Sequence, residues 1–392
     1  MKILFLHEVG YFEKPIFEMH EFPEQLASLG HEIAFLDLCE RKGSFRADTF
    51  GGLVNGRVEQ NSVVRLFSQQ MALPGIIGRL MAVFSFPRVM TKAIRNFQPD
   101  LVVSYAVPTS GWQALIICKL AGIPFVFRAL DVSHRIRKTA LFPLVKLAER
   151  FIYRNSSWVS CNNAAMRNYC LTLGAREGKS SVDLPPLDLA HFLRQNHVGK
   201  DLRDRLGIPQ NAKIVLYMGS FFYFSGLDKV LQQLSKEEDK PQLVLIGGGE
   251  QEAKLKEMVA GLALGNFVTF TGYIEFDELP EYLSIADVAI NPMLPSLVAD
   301  TALPNKVLQY MASGLPVVST DLKGLSSLFP STEGLSLVST PEEVLRRSIS
   351  VVASPTRAQM GAANRRLVEV TFQKRKSLQA FEQLLTQVGS SK

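Results

Sequence analysis

Cysteine and tryptophan are scarce in this chain of 392 residues, which contains four cysteines and two tryptophans. The cysteines are Cys39, Cys118, Cys161 and Cys170. They form no CxxC pair and have no metal-like spacing with histidines, which argues against a disulfide framework and against a zinc site. We interpret them as reduced thiols in the core of a cytoplasmic protein, and we expect neither a bound metal nor a cofactor.

Low-complexity tracts and blocks of like charge are also lacking, and a single uncharged run reaches the length of a membrane span. Hydrophobic residues make up 47% of the chain and charged residues 20%, a composition that excludes a disordered scaffold. The uncharged run Leu101–Cys118 contains Pro108 and Gly111, so it predicts a strand, a loop and a helix rather than a membrane span. The start, Met1–Leu6, is followed by Glu8 and by no small-residue cleavage site, so we expect a first strand rather than a signal peptide.

Positive charge is concentrated in the first half of the chain. Residues 1–185 hold 22 Lys and Arg against 15 Asp and Glu, whereas residues 186–392 hold 21 against 22. Residues 41–98 are the extreme, because nine basic residues face only Asp48 and Glu59 there and alternate with apolar side chains. This pattern fits an anionic membrane surface, and it fits equally a packed helix whose Arg and Lys extend into water. We expect no nucleic-acid partner.

Apolar β-type runs alternate with helical patterns in both halves of the chain. In the first half these runs are KILFLH, HEIAFLDL, DLVVSYAV, IPFVFRALD and SSWVSCN. In the second half they are KIVLYMGS, PQLVLIGGG, NFVTFTGYI, ADVAINPM and LPVVST. Continuous apolar strands with helices between them predict parallel sheets covered on both faces, and therefore an α/β protein with two Rossmann-like, doubly wound domains.

These patterns also suggest domain boundaries. We predict a first domain over residues 1–185, a linker over 186–212 with a Pro-Pro turn, and a second domain over 213–369. A helix over residues 370–392 is expected to return to the first domain. Ligands of such sheets bind at the carboxyl ends of the strands, so two facing domains place the expected site in the cleft between them.

A dinucleotide enzyme is poorly supported by the glycine pattern. No GxGxxG motif follows the first strand, and the glycines of LIGGGEQEAKLKEM have the wrong spacing. A glycine cluster of this kind more often permits close approach of the backbone than contact with a phosphate. A nucleotide-sugar epimerase or dehydrogenase would also need a Tyr-x-x-x-Lys pair, which the chain does not contain.

The second half carries an ordered set of motifs: YMGSFFYFSGLDKVLQQL, LVLIGGGEQEAKL, VTFTGYIEFDELPEYLSIADVAINPM and LPNKVLQYMASGLPVVST. In order and spacing they resemble the C-terminal domain of retaining GT-B glycosyltransferases of family 4, also called group 1. The first half resembles the family more loosely, through LASLGHEI, QPDLVVSYA, AGIPFVFRALD and LVKLAERFIYRNSSWV. The resemblance implies retaining transfer from a nucleotide-sugar without a catalytic metal, with the base near Gly272, Tyr273 and Ile274.

Two pairs of family residues are replaced in this chain. Members usually carry two glutamates at the positions that are Thr301 and Gln309 here. They also carry an Arg and a Lys for the diphosphate, at the positions that are Ser220 and Ser225 here. These losses keep open a second hypothesis, a non-catalytic member that retains the fold for binding or assembly.

Lys306 is the candidate replacement for the missing cations. It follows Asn305 at the predicted start of a helix, where backbone amides and the helix dipole already favour an anion such as a diphosphate. A subset of the family is similar in having Pro-x-Lys at this point. The alternative is a solvated surface lysine, and Gln309 one turn later is expected to bond ribose hydroxyls as a neutral amide.

The predicted donor-binding set joins these residues to the glycine-rich strand ends. It consists of Gly219, Ser220, Gly248, Gly249, Tyr273, Ile274, Thr301, Asn305, Lys306 and Gln309. Asp131 and Lys306 are the candidate catalytic residues. The resemblance aligns Asp131 with the cleft residue that contacts the donor sugar, although an N-cap would also explain an Asp there.

The predicted acceptor side lies in the first half, after the first and the fourth apolar runs. Its candidates are His7, Glu18, His20, Glu21, Arg128 and His134. Each could equally be an ordinary polar loop residue. We therefore expect a nucleotide-sugar donor and a cell-surface polysaccharide, glycolipid or polyprenyl-linked acceptor, with the protein cytoplasmic and peripheral on the inner face of the plasma membrane.

Overall fold

The computed structural model separates the chain into two compact units. Unit 1 comprises Met1–Pro186 and Lys374–Lys392, and unit 2 comprises Leu187–Gln373. The structure describes residues 1–13, 16, 18–40, 49–59, 61–73, 75–136, 141–186, 190–192, 199–329 and 332–390. Parts of the predicted linker and of the basic stretch 41–98 therefore lie outside the described residues.

Within the described residues, fourteen strands form two sheets, one in each unit. They are β1 (Lys2–Leu6), β2 (Glu32–Cys39), β3 (Gly52–Asn55), β4 (Val63–Gln70), β5 (Leu101–Ser104), β6 (Phe125–Ala129), β7 (Trp158–Cys161), β8 (Ser180–Val182), β9 (Ile214–Met218), β10 (Gln242–Ile246), β11 (Val268–Gly272), β12 (Val288–Asn291), β13 (Val317–Thr320) and β14 (Leu335–Val338).

Helices connect these strands. They are α1 (Glu18–Ser28), α2 (Gly75–Phe97), α3 (Gly111–Leu120), α4 (Ser133–Ile136), α5 (Phe142–Asn155), α6 (Ala164–Thr172), α7 (Gly199–Arg205), α8 (Leu227–Leu234), α9 (Glu252–Gly261), α10 (Leu279–Ser284), α11 (Leu297–Thr301), α12 (Asn305–Ala312), α13 (Lys323–Ser326), α14 (Pro341–Val352), α15 (Arg357–Thr371) and α16 (Lys374–Ser390). Among the described residues, we find no helix with both the length and the hydropathy needed to cross a bilayer.

Each sheet reverses its strand order once. The order in unit 1 is β3-β4-β2-β1-β5-β6-β7-β8, and all pairs are parallel except β3 with β4. In unit 2 the order is β11-β10-β9-β12-β13-β14, and every pair is parallel. The reversals fall between β1 and β5 and between β9 and β12, where doubly wound sheets form their ligand crevices.

The central strands are buried along their whole length because helices cover both faces of each sheet. Every residue of β9 is buried, and so is every residue of β12. The predicted α/β class with two Rossmann-like domains is confirmed, and all ten predicted strands are present. Sequence reasoning missed β3, β4, β8 and β14, which lie toward the sheet edges. The four cysteines are free and buried, as expected.

The boundaries of the two units differ from a simple division of the chain into two consecutive domains. Helix α7 lies within the segment 186–212 that we assigned to a linker. Helix α16 belongs to unit 1, where it packs against α1. Its Phe381 ring lies 4.2 Å from that of Phe22, measured between centroids, and both rings are fully buried. Unit 1 therefore depends on a helix that follows the whole of unit 2 in the chain.

Replacing Phe381 with Ala should destabilise unit 1 strongly. The substitution removes a buried ring and leaves a cavity beside Phe22, so we expect a loss of about 3–5 kcal/mol in the free energy of unfolding. Leu29→Ala is the matched control, because Leu29 is exposed in the same unit, and it should change that free energy by less than about 0.5 kcal/mol. Urea unfolding measures both values. Equal stability of the two variants would contradict a core role for α16.

Candidate functional site

The candidate site of unit 2 lies where β9 ends, at the reversal of strand order. Lys306, in the first turn of α12, extends its side chain back to this strand end. Its Nζ donates a hydrogen bond to the Tyr217 hydroxyl at 3.0 Å and lies 4.2 Å from the centroid of the Tyr217 ring. The Tyr217 hydroxyl in turn donates a hydrogen bond to the Ser220 carbonyl oxygen at 3.0 Å. An ammonium, a phenol and a loop carbonyl thus form one chain of contacts.

Gly219 makes this approach possible. Its φ of +136° lies in the region that favours glycine, and a Cβ there would stand 2.8 Å from Lys306 Nζ and 3.1 Å from Cε. A side chain at this position would displace the ammonium from the strand end. Lys306 and Gly219, which the sequence placed in one predicted donor set, are therefore brought into contact.

The electrostatics of Lys306 are unusual for a lysine. Protein atoms surround the ammonium although part of the residue stays accessible to solvent, and this burial lowers its pKa to about 7. None of the ion pairs among the described residues involves Lys306. Burial raises the pKa of Tyr217, so its hydroxyl stays protonated and neutral. The site therefore holds a cation without a protein anion, and a bound anion would favour the charged form.

The glycine-rich loop after β10 lies beside this strand end. The Phe221 amide donates to the Gly248 carbonyl at 2.9 Å, and the Gly219 amide donates to Ile246 at 2.9 Å. A Cβ on Gly249 would stand 2.9 Å from the Phe221 nitrogen. The cluster therefore permits close approach of two backbone segments, which is the plainer of the two interpretations that the sequence allowed.

The remaining predicted donor residues differ in accessibility. Tyr273 is 69% exposed directly after β11, and Ile274, Asn305 and Gln309 are partly exposed. Thr301 is buried, and its hydroxyl donates to the Leu297 carbonyl of its own helix at 2.7 Å. The structure thus turns Thr301 toward α11, and its contact with a donor stays a prediction. Ser220 is exposed at the strand end.

In unit 1, Arg128 and Glu18 form a buried ion pair. The Arg128 Nε donates to a Glu18 carboxylate oxygen at 2.5 Å, and an Arg128 Nη donates to the Ser160 hydroxyl at 2.8 Å. The guanidinium also lies 5.3 Å from the Phe22 ring and 5.8 Å from the Phe381 ring. Both charged side chains are inside the core, so this geometry favours a positioning role. Direct acceptor contact by either residue stays a prediction.

His134 is likewise placed in the interior. Its Nδ1 lies 2.6 Å from a Glu149 carboxylate oxygen, and the Tyr169 hydroxyl donates to the same oxygen at 3.0 Å. Burial raises the pKa of Glu149, against the opposing effect of His134. The three side chains tie the first turn after β6 to α5 and α6. This arrangement buries His134, which the sequence offered as an acceptor-side candidate or an ordinary polar loop residue, and its contact with an acceptor stays a prediction.

The other predicted residues of unit 1 lie near the reversal of its sheet. His7 follows β1 and stacks on Tyr105, which follows β5, with ring centroids 5.4 Å apart. His20 is buried in α1, with its Nε2 2.8 Å from the Tyr11 carbonyl oxygen. Glu21 is buried in the same helix.

Asp131 is exposed after β6, yet surrounding protein atoms and the Glu18 charge raise its pKa to about 6. It is therefore the predicted unit 1 residue most open to contact. Its catalytic role stays a prediction, as do the acceptor contacts of His7, His20 and Glu21.

Two residues at these strand ends were missed from the sequence. Tyr217 was taken as an ordinary strand residue, although a tyrosine next to the carboxyl end of a predicted strand is a signal for a polar contact. Glu8 accepts hydrogen bonds from the Thr109 and Ser110 amides, each at 2.7 Å, and so binds the loop before α3 to the end of β1. Within the described ranges, no group of three His, Cys, Asp or Glu is placed to hold a metal ion.

Replacing Glu18 with Gln should lower the free energy of unfolding far more than replacing the acidic member of an exposed ion pair. The change removes the ion-pair partner that contacts the buried Arg128 directly, and we expect a loss of about 3–5 kcal/mol in the free energy of unfolding. Arg128→Met added to Glu18→Gln should recover most of this loss, because both members of the buried pair are then uncharged. Glu32→Gln, which breaks the exposed pair with Lys2, is the control and should cost less than about 1 kcal/mol. Urea unfolding of the wild-type protein and the three variants measures these losses. Equal losses for Glu18→Gln and Glu32→Gln would contradict a structural role for the buried pair of Arg128 and Glu18.

Comparison with known proteins finds a glycosyl transferase family model for each unit. Residues 199–367 match the model of group 1 glycosyl transferases, and residues 19–182 match a glycosyl transferase 4-like domain. A Bacillus subtilis (strain 168) glycosyltransferase, assigned provisionally to teichuronic acid biosynthesis, is 24% identical over 256 residues, which is 65% of this chain and 62% of that protein. The alpha-monoglucosyldiacylglycerol synthase of Streptococcus pneumoniae (strain ATCC BAA-255 / R6) is 26% identical over 238 residues, or 57% of this chain and 52% of that protein.

Among solved structures, the HepE protein of Anabaena in complex with UDP-glucose superposes with a TM-score of 0.77. It covers 99% of this chain and 100% of the other at 18% sequence identity, so the likeness establishes the fold. The two sheets, their reversals and the two family matches lead to one assignment: this chain belongs to the group 1 glycosyltransferases and has the GT-B fold.

Proposed function

We propose that this protein transfers a sugar from a nucleotide-sugar donor to a glycan or lipid-linked acceptor, and that Lys306 binds the donor diphosphate. The observation that carries the proposal is the Lys306 ammonium, held at the end of β9 against Gly219 and the neutral Tyr217 hydroxyl. In the part of the chain that the structure describes, this cation has no ion-pair partner, and the diphosphate of a nucleotide-sugar would supply a counter-charge. Its position in the first turn of α12 adds the backbone amides of a helix start.

The mechanism follows from where charge develops. As the glycosidic bond breaks, the leaving nucleoside diphosphate gains negative charge, so a cation already fixed beside it stabilises the transition state more than the ground state. Tyr217 fixes the position of the ammonium by accepting a hydrogen bond from it, and as a neutral phenol it leaves the charge of the ammonium uncompensated. Ser220, exposed at the same strand end, offers a hydroxyl and an amide toward the same group. This set substitutes for the Arg and Lys pair that the chain lacks.

The donor and acceptor classes are supported by the relatives. The HepE structure contains UDP-glucose, which favours a UDP-sugar as the first donor to test. The two curated relatives are named for a cell-wall polymer and a glycolipid, which favours an acceptor of one of these classes. This chain spans 62% and 52% of their lengths, so the acceptor is proposed by class only.

Retention, independence of a catalytic metal and a cytoplasmic location are parts of the same proposal. They rest on the family resemblance and, for location, on four free buried thiols, which are typical of a reducing compartment. Product anomeric configuration determined by NMR tests retention. Turnover in the presence of a chelator tests the role of a metal.

Lys306→Ala should impair donor binding selectively. Losing one charge-assisted contact costs about 1.5–3 kcal/mol, so we expect kcat/KM to fall at least tenfold and UDP affinity to fall far more than uridine affinity. Gln309→Ala should weaken UDP and uridine alike if it contacts the ribose. Lys323→Ala, which removes an exposed lysine of the same unit, is the control and should change nothing. Calorimetry and initial rates measure the effects; unchanged UDP affinity and turnover in Lys306→Ala would overturn the assignment.

Donor affinity should depend on pH through Lys306. The free protein holds the pKa of this ammonium at about 7, and a bound diphosphate raises it. Affinity for UDP-glucose should therefore be full below pH 7 and should decrease as pH rises above it, with up to one proton taken up per ligand bound. UDP-glucose is the right ligand because both of its phosphates are diesters that stay ionised over this range. Calorimetry in buffers of different ionisation enthalpy measures the uptake, which should vanish in Lys306→Ala.

A binding or assembly protein remains the second candidate. The observation that favours it is the Thr301 hydroxyl, which is bonded within its own helix where the family carries a glutamate. UDP binding without release of UDP from any sugar donor in a panel would support this candidate over the transferase.

A further inference from the structure

Three helices of unit 1 expose apolar side chains on a surface that no described element covers. Helix α2 exposes Ile76, Ile77, Leu80, Met81 and Phe84, with Phe84 81% accessible. Helix α5 exposes Leu144 and Leu147, and α3, which packs between these two helices, exposes Ile116 and Leu120. Folded soluble monomers rarely expose apolar patches of this extent without a partner.

The exposed apolar and basic residues of α2 lie on one outward face, but the apolar residues lie in the first half of the helix and the basic residues in the second half. Ile77, Leu80 and Phe84 lie at helical spacings in the first half, opposite the buried Ala82, Phe86 and Met90. Continuing along the same face, Arg88, Lys92 and Arg95 are exposed in the second half. A shallow depression of about 440 Å³ lies over this half and is lined by Pro87, Arg88, Thr91, Lys92, Arg95 and Asn96.

Helix α5 repeats the same polarity. Leu144 and Leu147 are exposed in its first half, and Arg150 and Arg154 are exposed further on. Helices that connect parallel strands run antiparallel to those strands, so the first halves of α2 and α5 lie toward the same edge of the sheet. The apolar halves therefore lie toward one edge and the basic halves toward the other.

The charge on this surface has a single sign. Helices α2, α3 and α5 contain one acidic residue, Glu149, and it is buried against His134. Their exposed ionisable groups, among them Lys119 and Lys146, are all cationic. A protein partner or a second copy of this chain would need a matching acidic and apolar face, whereas an anionic lipid surface supplies phosphates and hydrocarbon together.

We propose that α2, α3 and α5 form a docking surface for an anionic lipid bilayer. The exposed apolar residues of the first halves of α2 and α5 insert among the lipid chains, and Arg88, Lys92, Arg95, Arg150 and Arg154 contact the headgroup phosphates. Because the apolar edge is the carboxyl edge of the sheet, the reversal of strand order at β1 and β5 is brought toward the lipid. The docking surface is independent of the proposed transfer activity and of Lys306.

Vesicle flotation with the full-length protein tests the proposal. Vesicles of phosphatidylcholine with phosphatidylglycerol should bind the protein at least tenfold more tightly than phosphatidylcholine alone, and added salt should reduce the difference. Two variants address the two parts of the surface: Ile77→Ser/Phe84→Ser for insertion, and Arg88→Glu/Lys92→Glu/Arg95→Glu for charge. Each should lower binding to the anionic vesicles at least tenfold.

Matched controls separate local from global effects. Leu29→Ser removes an exposed apolar residue of the same unit outside the three helices and should bind normally. Lys213→Glu/Lys254→Glu/Arg366→Glu reverses three exposed charges of unit 2 and gives the same net charge as the α2 triple variant, yet should also bind normally. Lys306→Ala should float like the original protein while losing UDP affinity, so failure of docking and failure of the donor site are distinguishable.

Three outcomes would overturn the docking surface. The first is equal flotation with neutral and anionic vesicles, and the second is equal loss in the α2 triple variant and its unit 2 counterpart. The third is a protein that does not float but forms a dimer in sedimentation equilibrium, with Ile77→Ser/Phe84→Ser dissociating it. Circular dichroism and thermal midpoints should confirm that the variants are folded, which their exposed positions favour.

Discussion

Parallel pairing of strands is the constraint on which both units depend. Parallel neighbours cannot be joined by tight turns, so each connection crosses a face of the sheet, and the carboxyl ends of parallel strands meet at one edge. Where the strand order reverses, the connections leave in opposite directions and the edge opens. Lys306 meets the end of β9 at such a reversal. The same constraint aligns α2 with α5, so the candidate donor site and the proposed lipid surface are products of one geometry.

Burial of charge has opposite consequences in the two units. In unit 1, Arg128 is paired with Glu18 and held between aromatic rings, so its charge is compensated and structural. In unit 2, Lys306 loses hydration without gaining an anion, and the burial lowers its pKa. The first arrangement stabilises a core, whereas the second leaves a local deficit of negative charge that a ligand can satisfy. At comparable desolvation, the presence of a counter-charge in the protein therefore distinguishes Arg128 from Lys306, the proposed donor-binding residue.

The sequence predicted the fold better than the environment of individual polar side chains. Ten apolar runs predicted ten strands, all but β11 inside their sheets, because buried parallel strands must be apolar on both faces. The four missed strands lie toward the sheet edges, where that requirement is relaxed; β4, for example, carries Arg65 and two glutamines. The position of Lys306 at the start of α12 could be predicted because a helix start has a readable pattern. By contrast, the pairing of Arg128 with Glu18 joins residues 110 positions apart, which no local pattern records. Tyr217 had a local signal in its place near the carboxyl end of a strand, but its partner, Lys306 of α12, lies 89 positions further along the chain.

The depressed pKa of Lys306 also changes its chemical character. An ordinary lysine, with a pKa near 10.4, is almost entirely protonated in neutral water and is a poor nucleophile. At a pKa of about 7, a large fraction of Lys306 is a free amine at the same pH. Reagents that acylate neutral amines can therefore distinguish it from the exposed lysines, and a bound diphosphate, by restoring the ammonium, would protect it.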